Sequence, residues 1–258
     1  MRKPRRNARG YDLYGNIAVI DAEPRRAPGL ARRLMRENKN VETVLRKGGA
    51  VRGRYRTRKF VYVAGRRNYL ATYRENGCIF RFDIRKTFFS TRLAFERKRV
   101  SDSARNGENV VVMFAGVGPY AIEIARQNKR GRVVAIELNA AACRYARENA
   151  KLNKTANVVV EHGDVDAFVG KYSGFADRIA MPLPGDSFRF LPAALGMAAK
   201  GCTIHYYAFC KIGESGDEVA KLRLFFSKRR RKFRLLGTRI ARPYSAKDAE
   251  LAIDFRID

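Results

Sequence analysis

Gly116, Gly118, Glu137 and Asp164 are residues whose types and spacing could do chemistry. The two glycines fall in VVVMFAGVGPY at Val110–Tyr120, where an apolar strand-like run gives way to a helix. Glycine lets the backbone turn sharply and approach a ligand closely, and Pro119 suits a first helical turn, where its missing N–H costs nothing. Glu137 lies 19 residues past Gly118, about the separation at which an acid grips ribose hydroxyls. The pattern is that of a nucleotide-type cofactor site. Read as G-x-G-x-x-A through Ala121, the loop also fits a nicotinamide-dinucleotide fingerprint, and the same glycines could merely close a tight turn in a non-binding α/β protein.

Two later features bear on the kind of transfer. Gly163-Asp164 follows the third strand of the series, where an acid can meet adenine, and Met181-Pro182-Leu183-Pro184 follows the fourth, at the sheet edge where ligands bind. A Pro-x-Pro turn fixes backbone carbonyls that could accept hydrogen bonds from a flat base, although a proline-rich turn without a ligand would read the same way. The chain also carries 54 Lys and Arg against 25 Asp and Glu, a formal net charge of +29. Such an excess points to a polyanionic substrate. Runs such as RGRYRTRK at Arg52–Lys59 and KRRRK at Lys228–Lys232 can neutralise phosphates, with Tyr55, Tyr62 and Tyr69 placed either to stack on bases or to fill a core.

The four cysteines form no C-x-x-C pair, and with two histidines there is no recognisable set of zinc ligands, so no metal is expected. The thiols read as reduced. No apolar run of about 18 residues could span a bilayer, and MRKPRRNARG is not a secretory signal, so the expectation is a cytoplasmic protein without a membrane partner.

The elements that must position these residues follow from the hydrophobic pattern. Residues 1–10 read as a basic flexible arm, and 11–88 as a small, basic, strand-rich RNA-binding domain with Asn76-Gly77 as a two-residue hairpin turn. A linking segment over 89–105 contains a helix from about Thr91 to Ser103, with Ser90 placed to cap it. From 106 to 258 strands alternate with helices: strands at 109–114, 132–138, 157–161, 177–181 and 202–209, helices at 119–129, 140–153, near 165–171, 187–199 and near 216–229, then two further strands. That alternation predicts an α/β fold with a doubly wound, Rossmann-like sheet.

The chain resembles the archaeal and eukaryotic tRNA (guanine-N1)-methyltransferase family. The resemblance runs from about Tyr11 to Asp258, through YDLYGNIAVI, FFSTRLAFERKRV at Phe88–Val100, MFAGVGPY, AIELN, Gly163-Asp164 and DRIAMPLP at Asp177–Pro184. It implies a class I methyltransferase domain, S-adenosylmethionine as cofactor, and action on the purine at position 37 beside the anticodon of tRNA, with the anticodon stem-loop as partner. Enzymes that move an aminocarboxypropyl group in wyosine synthesis share most of these motifs. Carried over by position, the cofactor site would comprise Phe88, Arg92, Phe114, Ala115, Gly116, Gly118, Glu137, Leu138, Asn139, Gly163, Asp164, Val165 and Met181, and the catalytic site Glu96, Arg56, Pro182 and Pro184. Arg58 is the alternative to Arg56. The chain departs from the family at Val112 (often Asp), Phe88 (often Tyr) and Pro182 (often Asn), and it begins at what would be the family's second domain.

These assignments suit the chemistry. Neutral guanine carries a proton on N1, so methylation there needs a positioned proton acceptor, the role the resemblance gives to Glu96. On a helix Glu96 shares a face with Leu93 and Val100, yet Arg92 and Arg99 could equally hold it in a surface salt bridge. As the proton leaves, charge spreads onto O6, where the guanidinium of Arg56 or Arg58 could stabilise it. The leading expectation is an N1-methylguanosine-forming tRNA methyltransferase. Aminocarboxypropyl transfer, a non-catalytic RNA-binding protein with a methyltransferase-like shell, and an NAD-dependent dehydrogenase are the alternatives.

Overall fold

The structure is a computed structural model that describes residues 10–258 except Arg52. The arm expected at 1–10 lies outside the described residues apart from Gly10. β1 (Tyr11–Tyr14), β2 (Ile17–Ile20), β3 (Thr43–Lys47) and β4 (Phe60–Gly65) form a four-stranded sheet in that order. β2 and β3 run parallel, joined by α1 (Ala27–Glu37), whose Ala27, Ala31 and Leu34 recur at helical spacing and pack on Ala18, Ile20 and Val44.

β5 (Leu70–Glu75) and β6 (Cys78–Asp83) make a separate hairpin. Its turn is the expected one: Asn76 and Gly77 have φ of 48° and 73°, the left-handed values a type I′ turn requires. The hairpin lies against α4 (Ala140–Leu152). Asn149 on that helix and Asn153 one turn on each grip a β6 residue by both backbone groups: Asn149 at Arg81, Asn153 at Ile79. The edge strand is thereby satisfied by side chains instead of another strand.

A 3-10 turn at Thr91–Leu93 leads into α2 (Ala94–Ser103). The expected Ser90 cap is not formed; its hydroxyl instead accepts a 3.4 Å bond from Arg242, because the helix proper begins four residues later. The remaining elements are β7 (Val110–Met113), α3 (Pro119–Gln127), β8 (Val133–Glu137), β9 (Val158–His162), β10 (Ala176–Met181), α5 (Leu191–Met197), β11 (Ala198–Lys211), α6 (Ser215–Lys228), β12 (Phe233–Pro243) and β13 (Asp248–Ile257). Two expected helices are shorter than read: only a 3-10 turn, Val165–Phe168, stands near 165–171, and the one at 187–199 is a 3-10 turn, Ser187–Phe190, followed by α5.

The seven strands order as β12-β13-β11-β10-β7-β8-β9. β9, β8, β7, β10 and β11 are parallel, whereas β13 pairs antiparallel with both β11 and β12. This is a Rossmann-like sheet closed by an antiparallel pair, the fold that the class I methyltransferase resemblance implies. Val110, Val111, Val112 and Met113 are fully buried, as a central strand covered on both faces must be. No helix among the described residues is long and apolar enough to cross a membrane.

A buried ion cluster joins the hairpin to this sheet. Arg97 on α2, 2% exposed, makes two bonds of 2.6 and 2.7 Å to Glu75 and lies 3.7 Å from Glu123 on α3. Glu123 Oε1 is buried without a hydrogen-bond partner among the described residues. Burial, reinforced by the adjacent Glu75, pushes the Glu123 carboxyl up to about 8. A carboxyl whose folded-state pKa exceeds its unfolded value holds its proton better in the fold, so stability falls as pH rises from about 4.5 to about 8. Glu123→Gln is expected to flatten that decline, read as urea midpoints at pH 5 and pH 8.5; an unchanged slope would exclude a protonated Glu123.

Candidate active site

The parallel strands end on one edge of the sheet, and order reverses between β7 and β10, which places a crevice there. Beyond β7 the chain turns through Phe114, Gly116 and Gly118 at φ of 55°, 58° and 89°. Phe114 is the costly member, since a side chain in the left-handed region is strained by about 1 kcal/mol or more. Its ring packs edge-on against Phe190 at 4.9 Å, and the next residue's N–H bonds to the Ile136 carbonyl at 3.0 Å. Gly118 begins α3, where an added Cβ would come 3.1 Å from Ile122 Cδ1 and 3.4 Å from Ala146 Cβ.

Glu137 closes this turn. Its two oxygens accept backbone N–H bonds from Gly116 at 2.8 Å and Asn139 at 2.7 Å. Burial raises its pKa, opposed by those same backbone bonds. Asn139 caps α4 through its side-chain oxygen and ties the loop before Phe88 by donating to the Lys86 carbonyl. Gly163, at φ 153°, and Asp164 follow β9; Asp164 accepts a 3.1 Å bond from Arg54.

These groups enclose a cavity of about 270 Å³. Of the residues named from sequence, Phe88, Phe114, Gly116, Glu137, Leu138, Asn139, Gly163, Asp164 and Val165 from the cofactor set, and Pro182 and Arg56 from the catalytic set, are on its wall. A larger cavity of about 370 Å³ adjoins it, walled by β1, β6 and the end of β12, and Arg56 and Phe88 line both. The Arg56 guanidinium stands 4.7 Å over the Phe88 ring, and burial lowers its pKa.

Several expected residues stand elsewhere. Ala115 and Met181 are buried in the core, Gly118 serves helix packing, and Pro184 is buried off both walls. Arg92 lines only the larger cavity, bonded to Asp12 at 3.0 Å. Glu96 lines neither: it is 2% exposed, with bonds of 2.9 and 2.6 Å from Arg99 and 2.7 Å from the Tyr207 hydroxyl. Its pair with Arg99 is therefore a buried one, while Leu93 and Val100 share its buried face. Arg99 also bonds Asp254 at 2.6 Å. Among the turn carbonyls, Met181 accepts from Leu183 N–H and Ser187, and Leu183 accepts from Asp186 N–H and Ser187.

Leu183 of the Pro-x-Pro turn and Arg54 of the RGRYRTRK run also line the smaller cavity, whereas sequence reasoning missed Asp186, Arg189 and Phe190 there, and Asp12, Tyr14, Arg242 and Tyr244 on the larger. Asp186 to Phe190 directly follow the Pro-x-Pro turn, a local signal that could have found them. The other four come from the two ends of the chain and carried no such signal. Tyr55 lines the smaller cavity, but Tyr62 and Tyr69 pack partly buried against a core.

The wall fits an adenosyl cofactor. A carboxylate has about four acceptor directions, and the two backbone bonds leave Glu137 capacity for ribose hydroxyls; Phe114, Ile136, Leu138 and Val165 supply flat apolar surface for a base. Glu137→Ala is expected to weaken S-adenosylhomocysteine binding by about 10- to 100-fold, the worth of charge-assisted hydrogen bonds, in a calorimetric titration. Unchanged affinity would remove Glu137 from the cofactor site.

A family model for the TRM5/TYW2 methyltransferase domain matches residues 71–238. The chain is 40% identical over 252 residues to the tRNA (guanine(37)-N(1))-methyltransferase Trm5b of Pyrococcus abyssi, covering 96% of this chain and 74% of the relative. A crystal structure of Trm5b from that organism superposes with a TM-score of 0.86 at 38% identity, covering 96% of this chain and 74% of that one. The chain is also 30% identical over 212 residues to the tRNA 4-demethylwyosine(37)-methyltransferase Taw21 of Saccharolobus solfataricus, covering 81% and 80%. The complex of aTrm5 with tRNALeu matches with a TM-score of 0.83 at 28% identity, over 96% of this chain and 72% of that one. With the glycine turn, its clamping acid and the strand order all in place, the chain belongs to the TRM5/TYW2 methyltransferase family.

Proposed function

We propose that this chain methylates N1 of the guanine at tRNA position 37, in the anticodon stem-loop, with S-adenosylmethionine as donor. The observation that carries this reading is the junction of the two cavities at Arg56 and Phe88. A cofactor held on Glu137 and Asp164 meets there a second, arginine-lined space large enough for a base turned out of an RNA loop. The relative Trm5b carries the same activity in its name, and one matching structure is the complex of aTrm5 and tRNALeu. The cofactor, when bound, supplies a methyl group on a sulfonium that is already electrophilic. The chain's residues then have to orient the purine, take its N1 proton and stabilise the resulting charge.

Arg56, a desolvated cation on the shared wall, stabilises charge developing on O6 without titrating. Pro182 lines the cofactor cavity, and its backbone carbonyl is assigned to accept an N–H of the purine edge where the purine approaches the cofactor. Glu96 is assigned the N1 proton although it lines neither cavity in this arrangement. The role requires a rearrangement in which Tyr207 releases the carboxylate and Arg99 passes to Asp254, which already accepts from it at 2.6 and 3.2 Å, so that the guanidinium keeps a counter-charge while Glu96 turns toward the purine. The general positive charge supplies affinity for the phosphate backbone. The reaction belongs in the cytoplasm, where tRNA is handled.

Incubation with purified tRNA and labelled S-adenosylmethionine, followed by mass spectrometry of the nucleosides, is expected to yield N1-methylguanosine. An aminocarboxypropyl product, a methylated wyosine precursor alone, or no product would each overturn the reading. Glu96→Gln is expected to bind tRNA and cofactor normally while turnover falls by about 100-fold or more, the usual worth of a general base. Turnover close to wild type would reassign the base.

A further inference from the structure

The larger cavity holds more positive charge than its own acids offset. Among its described lining residues Lys47, Arg56, Arg58, Arg92 and Arg242 face a single carboxylate, Asp12. Asp12 is already engaged by Arg92 at 3.0 Å and approached by Lys47 at 3.6 Å, and Arg242 is bonded at 2.6 Å to Glu250 outside the wall. Arg58 stands apart. Its Nε is buried and has no hydrogen-bond partner among the described residues. A buried donor left unmatched is costly, and a guanidinium is the donor group best matched to phosphate oxygens.

The neighbours of Arg58 reinforce this. Arg58, Arg92 and Arg242 line one cavity together with Tyr14, whose hydroxyl pKa burial and Asp12 push up against the pull of the three guanidiniums. Arg56, by contrast, is stacked on Phe88 at the boundary with the cofactor cavity. Arg56 and Arg58 of the RGRYRTRK segment thus face different tasks.

We propose that Arg58 is a phosphate clamp: it binds a non-bridging oxygen of a phosphate flanking the acceptor purine, so the larger cavity takes a nucleotide and not only a base. The assignment rests on the reading that the acceptor purine enters this cavity. It divides recognition, with Arg56 facing the base and Arg58 its backbone, and makes an uncharged linkage next to the acceptor a poor ligand.

The test uses the full chain with S-adenosylhomocysteine and three anticodon stem-loop RNAs: the native one, and two with a charge-neutral methylphosphonate at the phosphate 5′ or 3′ of the acceptor. For the wild type, one of the two neutral linkages is expected to weaken binding by about 10- to 100-fold. Arg58→Gln is expected to weaken native RNA by a similar factor and to show no further loss with that neutral linkage. Two results overturn the proposal: neither neutral linkage weakens the wild type, or the losses from linkage and substitution multiply. The wild-type comparison stands alone should Arg58→Gln fold poorly. Methyl transfer to native RNA by the wild type is scored separately, so loss of the catalytic reading and loss of the clamp give different results.

Discussion

The Glu137 carboxylate accepts an N–H from Gly116 on one side and from Asn139 on the other, and most of the cofactor cavity depends on that double bond. It joins the turn after β7 to the start of α4, holding Phe114 and the glycines at left-handed angles they would otherwise leave. Through Asn139 the constraint continues to the Lys86 carbonyl and thus to the segment carrying Phe88. One acid therefore fixes the floor of the cofactor site and one edge of its boundary with the neighbouring cavity.

The rest of the molecule brings remote segments to that boundary. The hairpin is secured to α4 by two asparagines and to α2 by the Glu75–Arg97 pair, which sets Phe82 and Phe89 face to face at 4.7 Å beneath the larger cavity. The four-stranded sheet reaches the hairpin through Asn16, whose side chain accepts the Thr72 N–H at 3.1 Å. The end of β12 comes round from the far edge of the large sheet to supply Arg242, with Tyr244 just beyond it. A nearby buried network runs from Glu96 through Arg99 and Asp254 to His205. Burial lowers the His205 pKa, and because Arg178 can only donate, the neutral ring accepts at Nε2 and donates from Nδ1 to Asp254. Burial works against charge on Arg99, but its bonds to Glu96 and Asp254 outweigh that and hold its pKa above the usual value.

Legibility in the sequence followed the range of the interactions. Strand and helix order from Val110 onward was readable because short continuous apolar runs and helical spacing are local patterns. Asn76-Gly77 and Gly116-Val117-Gly118 were readable because positive φ is a local demand. Ser90 misled because a serine before a helical pattern signals a cap, whereas an intervening 3-10 turn moved the helix start beyond its reach. Gly118 and Ala115 were rightly placed in the turn, but neighbouring positions of a turn face opposite ways, and theirs face helix and core.

By itself the sequence determined the parallel-sheet fold class, the cofactor turn with its acid, and a strongly basic chain, since each depends on backbone freedom, periodicity or composition. Tertiary structure alone decided which charges meet. Glu96 receives its Tyr207 bond from a residue 111 positions away, and Arg54 reaches Asp164 across 110. The Arg58 Nε has no hydrogen-bond partner among the described residues, while Arg92 found Asp12, 80 residues distant. Such pairings arise only when separate elements pack, and no pattern within a single segment encodes them.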